Sequence, residues 1–385
     1  MERFFMSVQE RHMRRALALA RLAEGQTSPN PAVGAVIVRD DRVVGEGNHT
    51  RAGAPHAEVE ALREAGDLAL NATLYVTLEP CNHTGRTPPC TEAIVKAGVA
   101  QVNYAVRDPK RSVSGGGHEY LENAGLVVHE GLCGEEARHL NRFYFHAVRT
   151  GRPYVVAKFA MSLDGKIATH TGESQWITGA ASRAEVHNLR RVVDAVLVGA
   201  GTAILDNPHL TVRITAYEGS QPRRIVLDSQ GRVPIESALF DSELSGGSVV
   251  ATTDAMSDEH RRTLEERGVE VWTFPATATG KVELSALLDE LSDRGTRSLL
   301  VEGGAEALGS FFDEGHVQEL WAFVAPIIIG GSAALSPVHG NGVPRPAEAT
   351  RLVKTSLEKF GEDVLIRGYI MQSNGTENEN VHGNC

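Results

Sequence analysis

The sequence predicts an α/β protein of two domains, and three observations carry that reading. At 385 residues the chain exceeds what a single hydrophobic core usually serves, roughly 250–300 residues. Strand-like and helix-like segments alternate along most of its length, the pattern of sheets covered by helices. The run Thr150-Gly151-Arg152-Pro153 then interrupts the alternation with turn-forming residues. The expected division is 1–149 for one domain, 150–371 for a second, and 372–385 for a disordered tail rich in Asn, Gly and Glu.

The elements follow in order. Gln9 to Leu22 carries apolar residues at helical spacing, Met13, Leu17, Ala20 and Ala23, with Gly25 as its stop. Val33 to Val38 and Arg42 to Gly45 alternate as strands around the turn residues Asp40 and Asp41, which predicts a hairpin. A helix from His56 to Ala65 follows Pro55, then a strand over Ala72 to Leu78 and a helix over Thr91 to Ala97 closed by Gly98. His56 and Cys90 thus fall at helix starts, able to face the end of the same strand. Strand Val99 to Val106 and helix Glu119 to Ala124 complete the first half.

In the second half, strands are expected at Tyr154–Ala160, Ala195–Val198, Arg224–Asp228, Ser248–Thr252, Val269–Phe274, Ser298–Glu302 and Glu319–Ala325. Helices are expected at Arg183–Arg191, Asp258–Arg267, Leu284–Arg294 and Ala305–Glu314. Such an order gives a largely parallel, doubly wound sheet with helices on both faces.

The composition excludes several classes. A formal charge of −11 opposes nucleic-acid binding, which depends on a positive field. No long apolar run marks a signal peptide or membrane span, so the expected location is the cytoplasm and no membrane partner is expected. Of the four cysteines, Cys133 and Cys385 stand apart without a pairing pattern, as suits a reducing compartment.

Cys81 and Cys90 belong with His56. One histidine and two cysteines supply three ligands for Zn²⁺ and leave a fourth position for water, the mark of a catalytic rather than structural zinc. Glu58, two residues after His56, is the proton carrier such a water needs. His-x-Glu followed by Pro-Cys-x-x-Cys is the pattern of zinc deaminases, in which the glutamate is general acid/base and not a ligand. Here eight residues separate the cysteines, and the loop they form carries His83 and Arg86, suited to a substrate phosphate unless the loop is a solvated turn. Asn30, in the rigid loop Thr27-Ser28-Pro29-Asn30-Pro31, could hydrogen-bond a ring edge. Structural zinc or buried thiols are the alternatives for the cysteines.

Asn30-Pro31, Val33-Gly34, Gly47-Asn48-His49, Pro55-His56-Ala57-Glu58 and the run Glu79 to Cys90 resemble the bacterial bifunctional riboflavin-biosynthesis deaminase/reductases, a family with this longer cysteine spacing. The resemblance implies a cytidine-deaminase-like first domain with zinc ligands His56, Cys81 and Cys90, proton shuttle Glu58, and substrate contacts from Asn30, His49, His83 and Arg86. Asp108-Pro109-Lys110-Arg111 departs from the family, which has a second Asn-Pro pair there.

The second half holds two glycine clusters after strands, Val198 to Thr202 and Val301 to Ala305, whose backbone N–H groups could hold a phosphate or simply turn the chain. Neither is Gly-x-Gly-x-x-Gly with a distant acidic residue, which disfavours a standard dinucleotide fold. Lys158 to Lys166, Gly172 to Thr178 and Leu205 to Arg213 add polar loops, one with Trp176, which a structural tryptophan would also explain. These segments look like the reductase half of the same family, similar in fold to dihydrofolate reductase, with NADPH as hydride donor. By that resemblance Ala160, Trp176, Thr202, Asp206, Ser229 and the turn of Gly304, Ala305, Glu306, Ala307, Leu308, Gly309 and Ser310 contact the cofactor. Ser174, Arg190, Leu210, Arg213 and Glu302 contact substrate, the two arginines suiting its phosphate. Asp206 and Lys158 are candidates for handling the proton that accompanies the hydride, with a capping carboxylate the alternative for Asp206.

The family reading implies deamination of 2,5-diamino-6-(5-phosphoribosylamino)pyrimidin-4(3H)-one, then reduction to 5-amino-6-(5-phosphoribitylamino)uracil. The partners it implies are small phosphorylated pyrimidines, and a homo-oligomer is expected. Two competitors stand beside it: a nucleoside or nucleic-acid deaminase fused to an unrelated second domain, and a lone reductase supported by a structural zinc module. The first calls for a basic, aromatic-lined groove. The second leaves Glu58 without a reason to be there.

Overall fold

A computed structural model describes residues 6–84, 88–110 and 116–371, which fall into two compact units divided between Gly151 and Arg152. The expected tail, 372–385, and Arg86 lie outside the described residues.

The first unit opens with α1 (Val8–Arg21), begun by a capping box in which the Ser7 hydroxyl accepts from the Glu10 N–H and the Glu10 carboxylate accepts from the Ser7 N–H. Its stripe Met13, Ala16, Leu17 and Ala20 is buried against β1 (Gly34–Arg39). That strand is apolar on both faces because it is covered on both, and it pairs antiparallel with β2 (Arg42–Asn48) in the expected hairpin. α2 (Ala57–Ala65), β3 (Thr73–Val76), α3 (Cys90–Lys96), β4 (Gln101–Tyr104), α4 (Gly117–Asn123), β5 (Val127–Glu130), α5 (Gly134–Leu140) and α6 (Arg142–Thr150) follow. The sheet order is β2-β1-β3-β4-β5, with β3, β4 and β5 parallel. Gly47 fixes the seat of α2, because a Cβ there would lie 2.3 Å from the Ala57 carbonyl oxygen. Only a bare backbone lets the helix carrying the histidine motif lie this close to β2.

The second unit runs β6 (Tyr154–Ser162), α7 (Ala180–Val192), β7 (Ala195–Gly199), α8 (Ala200–Asp206), β8 (Arg223–Leu227), β9 (Ser248–Thr252), α9 (Asp258–Glu266), β10 (Glu270–Thr273), α10 (Leu284–Asp293), β11 (Ser298–Val301), α11 (Ala305–Asp313), β12 (Glu319–Ala325), β13 (Leu352–Phe360) and β14 (Asp363–Ile370). Nine strands form one sheet in the order β10-β9-β8-β7-β11-β6-β12-β14-β13. Parallel pairing holds from β10 across to β12, while β14 and β13 are antiparallel. Val155, Leu197, Ile225, Val249, Leu299 and Val301 pack with Leu287, Leu288, Leu291, Leu308 and Phe311 to make the core.

Two parts of this unit escape the sequence reading. α8 occupies the segment read as a glycine turn and polar loop. The β13–β14 hairpin is missing from the expected strands because β13 lies at the sheet edge with Lys354, Thr355, Glu358 and Lys359 exposed, so its apolar alternation is weak.

Candidate active sites

In the first unit His56 caps the start of α2, Cys90 is the first residue of α3 and Cys81 lies in the loop after β3. One side-chain donor atom from each lies within 4.8 Å of the others. His56 Nδ1 is 3.2 Å from Cys90 Sγ and 3.5 Å from Cys81 Sγ. The Cys81 thiol is lowered to about 4, first because the Cys90 thiol donates to it and then because of His56, whereas Cys90 is raised by the same pairing and by burial. Two sulfurs sharing a proton beside a ring nitrogen form a soft, electron-rich donor set that fits a zinc ion, which binds with proton release.

Glu58, on the first turn of α2, is 4 % exposed. Its carboxyl is raised to about 7, first by burial and then by the negative charge of Cys81. A carboxyl near neutrality can both take and give a proton.

The Cys81 loop is tied down from outside the motif. Glu79 accepts from the backbone N–H groups of Asp108 and His118, and Thr91 Oγ1 donates to Asn82 Oδ1 over 2.8 Å. Sequence reasoning missed Glu79, although its place in Glu-Pro-Cys could have signalled it.

Asn30 and His49 meet, with Asn30 Nδ2 3.1 Å from His49 Nε2. The Pro55 carbonyl lies 3.1 Å from His49 Nδ1, so Nδ1 must donate and Nε2 must accept from Asn30. Burial lowers the His49 pKa, which keeps this neutral tautomer. Asn141, unsuspected in the sequence, clamps the loop by accepting from the Ala32 N–H at 2.8 Å and donating to the Ala32 carbonyl at 2.9 Å. His83 keeps an inward Nδ1 with no hydrogen-bond partner among the described residues.

In the second unit a cleft of about 1240 Å³ opens where β6, β7, β8 and β11 end. Ala160, Trp176, Thr202, Asp206, Ser229, Gly304 to Leu308 and Ser310 line it, as do Lys158, Ser174, Arg190, Leu210, Arg213 and Glu302. Gly309 stands behind the wall, where a Cβ would lie 2.3 Å from the His339 carbonyl oxygen. Gly304 adopts φ +80°, and a Cβ there would stand 3.3 Å from both Gly199 N and Thr202 Oγ1. A Gly-only backbone facing free N–H groups at the start of α11 is a cradle suited to a pyrophosphate, so the cleft fits a dinucleotide.

Trp176 is 66 % exposed with the Arg183 guanidinium 4.5 Å over its ring, so it is a cleft residue and not a core tryptophan. Asp206 ends α8 and accepts from Ser174 Oγ at 2.7 Å, so it is no N-terminal cap.

The two arginines divide. Arg190 is locked bidentate onto Glu302, Nε to Oε1 at 2.5 Å and Nη2 to Oε2 at 2.8 Å, while its Nη1 donates to the Thr211 carbonyl. Those bonds commit three of the five guanidinium N–H groups with which Arg190 was expected to hold phosphate. Arg213 is exposed, with no carboxylate partner among the described residues, and its N–H donates to His187 Nδ1. Lys158 sits among these groups, its pKa lowered first by burial and held up by Glu302.

A buried histidine–cysteine cluster with a carboxyl beside it, and a phosphate-cradling cleft on a parallel sheet, define a zinc deaminase domain joined to a dinucleotide-dependent reductase domain. Residues 6–106 match the cytidine and deoxycytidylate deaminase zinc-binding region, and residues 153–366 match the RibD C-terminal domain. The riboflavin biosynthesis protein RibD of Aquifex aeolicus is 43 % identical over 359 residues, 93 % of this chain and 98 % of that one. Its counterpart from Bacillus amyloliquefaciens is 41 % identical over 98 % of this chain and all of its own. Acinetobacter baumannii RibD (form 2) matches with a TM-score of 0.84 and 37 % identity, over 94 % of this chain and 99 % of its own. A Thermotoga maritima diaminohydroxyphosphoribosylaminopyrimidine deaminase/5-amino-6-(5-phosphoribosylamino)uracil reductase matches with a TM-score of 0.80 and 36 % identity, over 94 % and 99 %. The chain belongs to the RibD family of bifunctional riboflavin-biosynthesis enzymes, deaminase and reductase in one polypeptide, using zinc and NADPH.

Proposed function

We propose that the first unit hydrolytically deaminates 2,5-diamino-6-(5-phosphoribosylamino)pyrimidin-4(3H)-one and that the second reduces the ribosyl group of the product with NADPH. The product of the pair is 5-amino-6-(5-phosphoribitylamino)uracil. The observation that carries the deaminase assignment is the buried Glu58 carboxyl, raised to about 7, beside a His56, Cys81 and Cys90 donor set.

His56, Cys81 and Cys90 hold the zinc ion, which when bound acidifies water towards neutral pH. Glu58 accepts one proton from the attacking water and delivers it to the ring nitrogen, then carries the second, from the new hydroxyl, to the departing amine. A C–O bond forms, the C–N bond breaks and ammonia leaves. Asn30 and neutral His49 orient the ring, and His83 with Arg86 holds the substrate phosphate.

In the second unit NADPH supplies hydride to the sugar C1′. Trp176, Thr202 and the Gly304 turn hold the cofactor, while Asp206, fixed by Ser174, and Lys158 manage the accompanying proton. Arg213 takes the substrate phosphate, and Arg190 acts with Glu302 as the wall that shapes the pocket. No helix among the described residues is long and apolar enough to cross a membrane. The reading includes a cytoplasmic, homo-oligomeric enzyme without nucleic-acid partners.

Glu58→Gln tests the deaminase assignment. It should keep about one zinc per chain by elemental analysis yet lose ammonia release by roughly 10²–10⁴-fold. Undiminished release would remove Glu58 from its role.

A further inference from the structure

Between the end of α8 and the start of β8 the chain runs through 207–222 without joining the sheet. Leu210, Thr211 and Val212 are nevertheless buried, and Arg213, exposed and lining the cleft, follows them directly. Leu210 adopts φ +53°, a left-handed conformation that a bulky apolar residue takes only where its surroundings impose it. Buried backbone groups outside a sheet need partners of another kind, because an unpaired N–H or carbonyl costs about what a lost hydrogen bond costs. Here side chains supply them.

Gln221 Oε1 accepts from the Val212 N–H at 2.7 Å, and Gln221 Nε2 donates to the Val212 carbonyl at 3.1 Å. One side-chain amide thus pairs both polar groups of a residue as a neighbouring strand would, and it ties the foot of the 213–220 excursion to its far end. His187, on α7, takes the next group, its Nδ1 accepting from the Arg213 N–H at 3.2 Å. Nδ1 can accept only in the neutral ring, and burial, then the Arg190 and Arg213 charges, lower the His187 pKa to about 4. Arg190, on the same face of α7, donates to the Thr211 carbonyl at 3.0 Å. Both peptide units that precede Arg213 are therefore held at each polar atom.

A long side chain magnifies at its tip any tilt of its own backbone. A guanidinium that must meet a phosphate with two N–H groups needs its Cα fixed. Neither Gln221 nor His187 lines the cleft, so their effect on it passes through Arg213.

We infer that Gln221 and His187 are positioning residues for the reduction: they hold the Arg213 backbone so that its guanidinium meets the substrate phosphate, and they set the preference for phosphorylated substrate without touching it. This rests on the reading of Arg213 as the phosphate contact.

The test is NADPH oxidation by the full-length chain on the deaminated substrate with and without its phosphate, read as the ratio of the two kcat/KM values. The unsubstituted chain should favour the phosphorylated form, and Arg213→Gln should cut that preference about a hundredfold. Gln221→Met, which keeps the length of the side chain and removes both bonds, should cut it about tenfold, through KM and not kcat. His187→Leu should cut it about threefold, and His187→Asn, whose Oδ1 can stand near the place of Nδ1, should restore most of it. In the Arg213→Gln background Gln221→Met should change the preference no further. Equal loss on both substrates, or a full additional effect beside Arg213→Gln, overturns the positioning role. So does a His187→Asn chain no better than His187→Leu, the pair that decides if Gln221→Met fails to fold. An Arg213→Gln chain that keeps the whole preference overturns the reading of Arg213 instead.

Discussion

The two units place their chemistry differently. In the first, the zinc-binding set and its proton carrier come from one short stretch, His56 to Cys90, gathered by two helix starts and the loop after β3. In the second, groups from Lys158 to Glu302 converge only because four parallel strands end along one edge. A metal demands ligands within bonding distance of one point, so its residues can be close in sequence. A dinucleotide is long, and only a wide sheet edge spans it. The first site should therefore fail sharply when one residue changes, and the second by degrees.

The largest effect tests that contrast directly. Cys90→Ser should lower zinc content and cut ammonia release on the order of a thousandfold or more, with NADPH oxidation on supplied deaminated substrate intact. Loss of both activities together would break the division of labour. Next, Glu302→Gln leaves the Arg190 guanidinium buried without its counter-charge, with side chains only 10 % and 5 % exposed in the pair. It should destabilise the second unit by about 3–5 kcal/mol, read as a shift of one calorimetric transition while the other stays fixed.

Asn141→Ala removes both hydrogen bonds to Ala32 and should cost the first unit about 2 kcal/mol. Ammonia release should fall with it, since the Asn30 loop loses its anchor. Equal loss of reductase activity would show that the clamp serves more than its own unit.

The smallest effect is in pH. His146 on α6 is lowered to about 4, first by burial and then by Arg149, and His187 in the second unit is lowered to about 4, first by burial and then by Arg190 and Arg213. Between about pH 6.5 and 4 the unfolded chain binds protons that these folded histidines refuse. Each unit's stability is thus full above pH 6.5 and declines as pH falls towards 4. His146→Gln should flatten the first unit's decline alone, by no more than about 2 kcal/mol after allowance for partial solvent access.

Much of the first site was legible because its signal is local. His56, Glu58, Cys81 and Cys90 announce a zinc-activated water by type and spacing, and helix starts at His56 and Cys90 follow from Pro55 and Pro89 before them. Asn141 was not legible, since it lies 109 residues from the loop it clamps. Arg190 and Glu302 were each visible as charged residues near the second site, but their mutual pairing, across 112 residues, was not. β13 was missed because an exposed edge strand has little apolar alternation to display.

The sequence by itself determined two α/β domains, a zinc-type donor set with its acid/base, and the absence of a Gly-x-Gly-x-x-Gly dinucleotide turn. Those properties depend on residue type and short spacing, which the chain carries in one dimension. Only the tertiary structure decided which charges are free and which are spent: Arg190 is paired with Glu302, while Arg213 lines the cleft with no carboxylate partner among the described residues. Burial and long-range pairing set the effective charge of a side chain, and neither is a property of its neighbours in sequence.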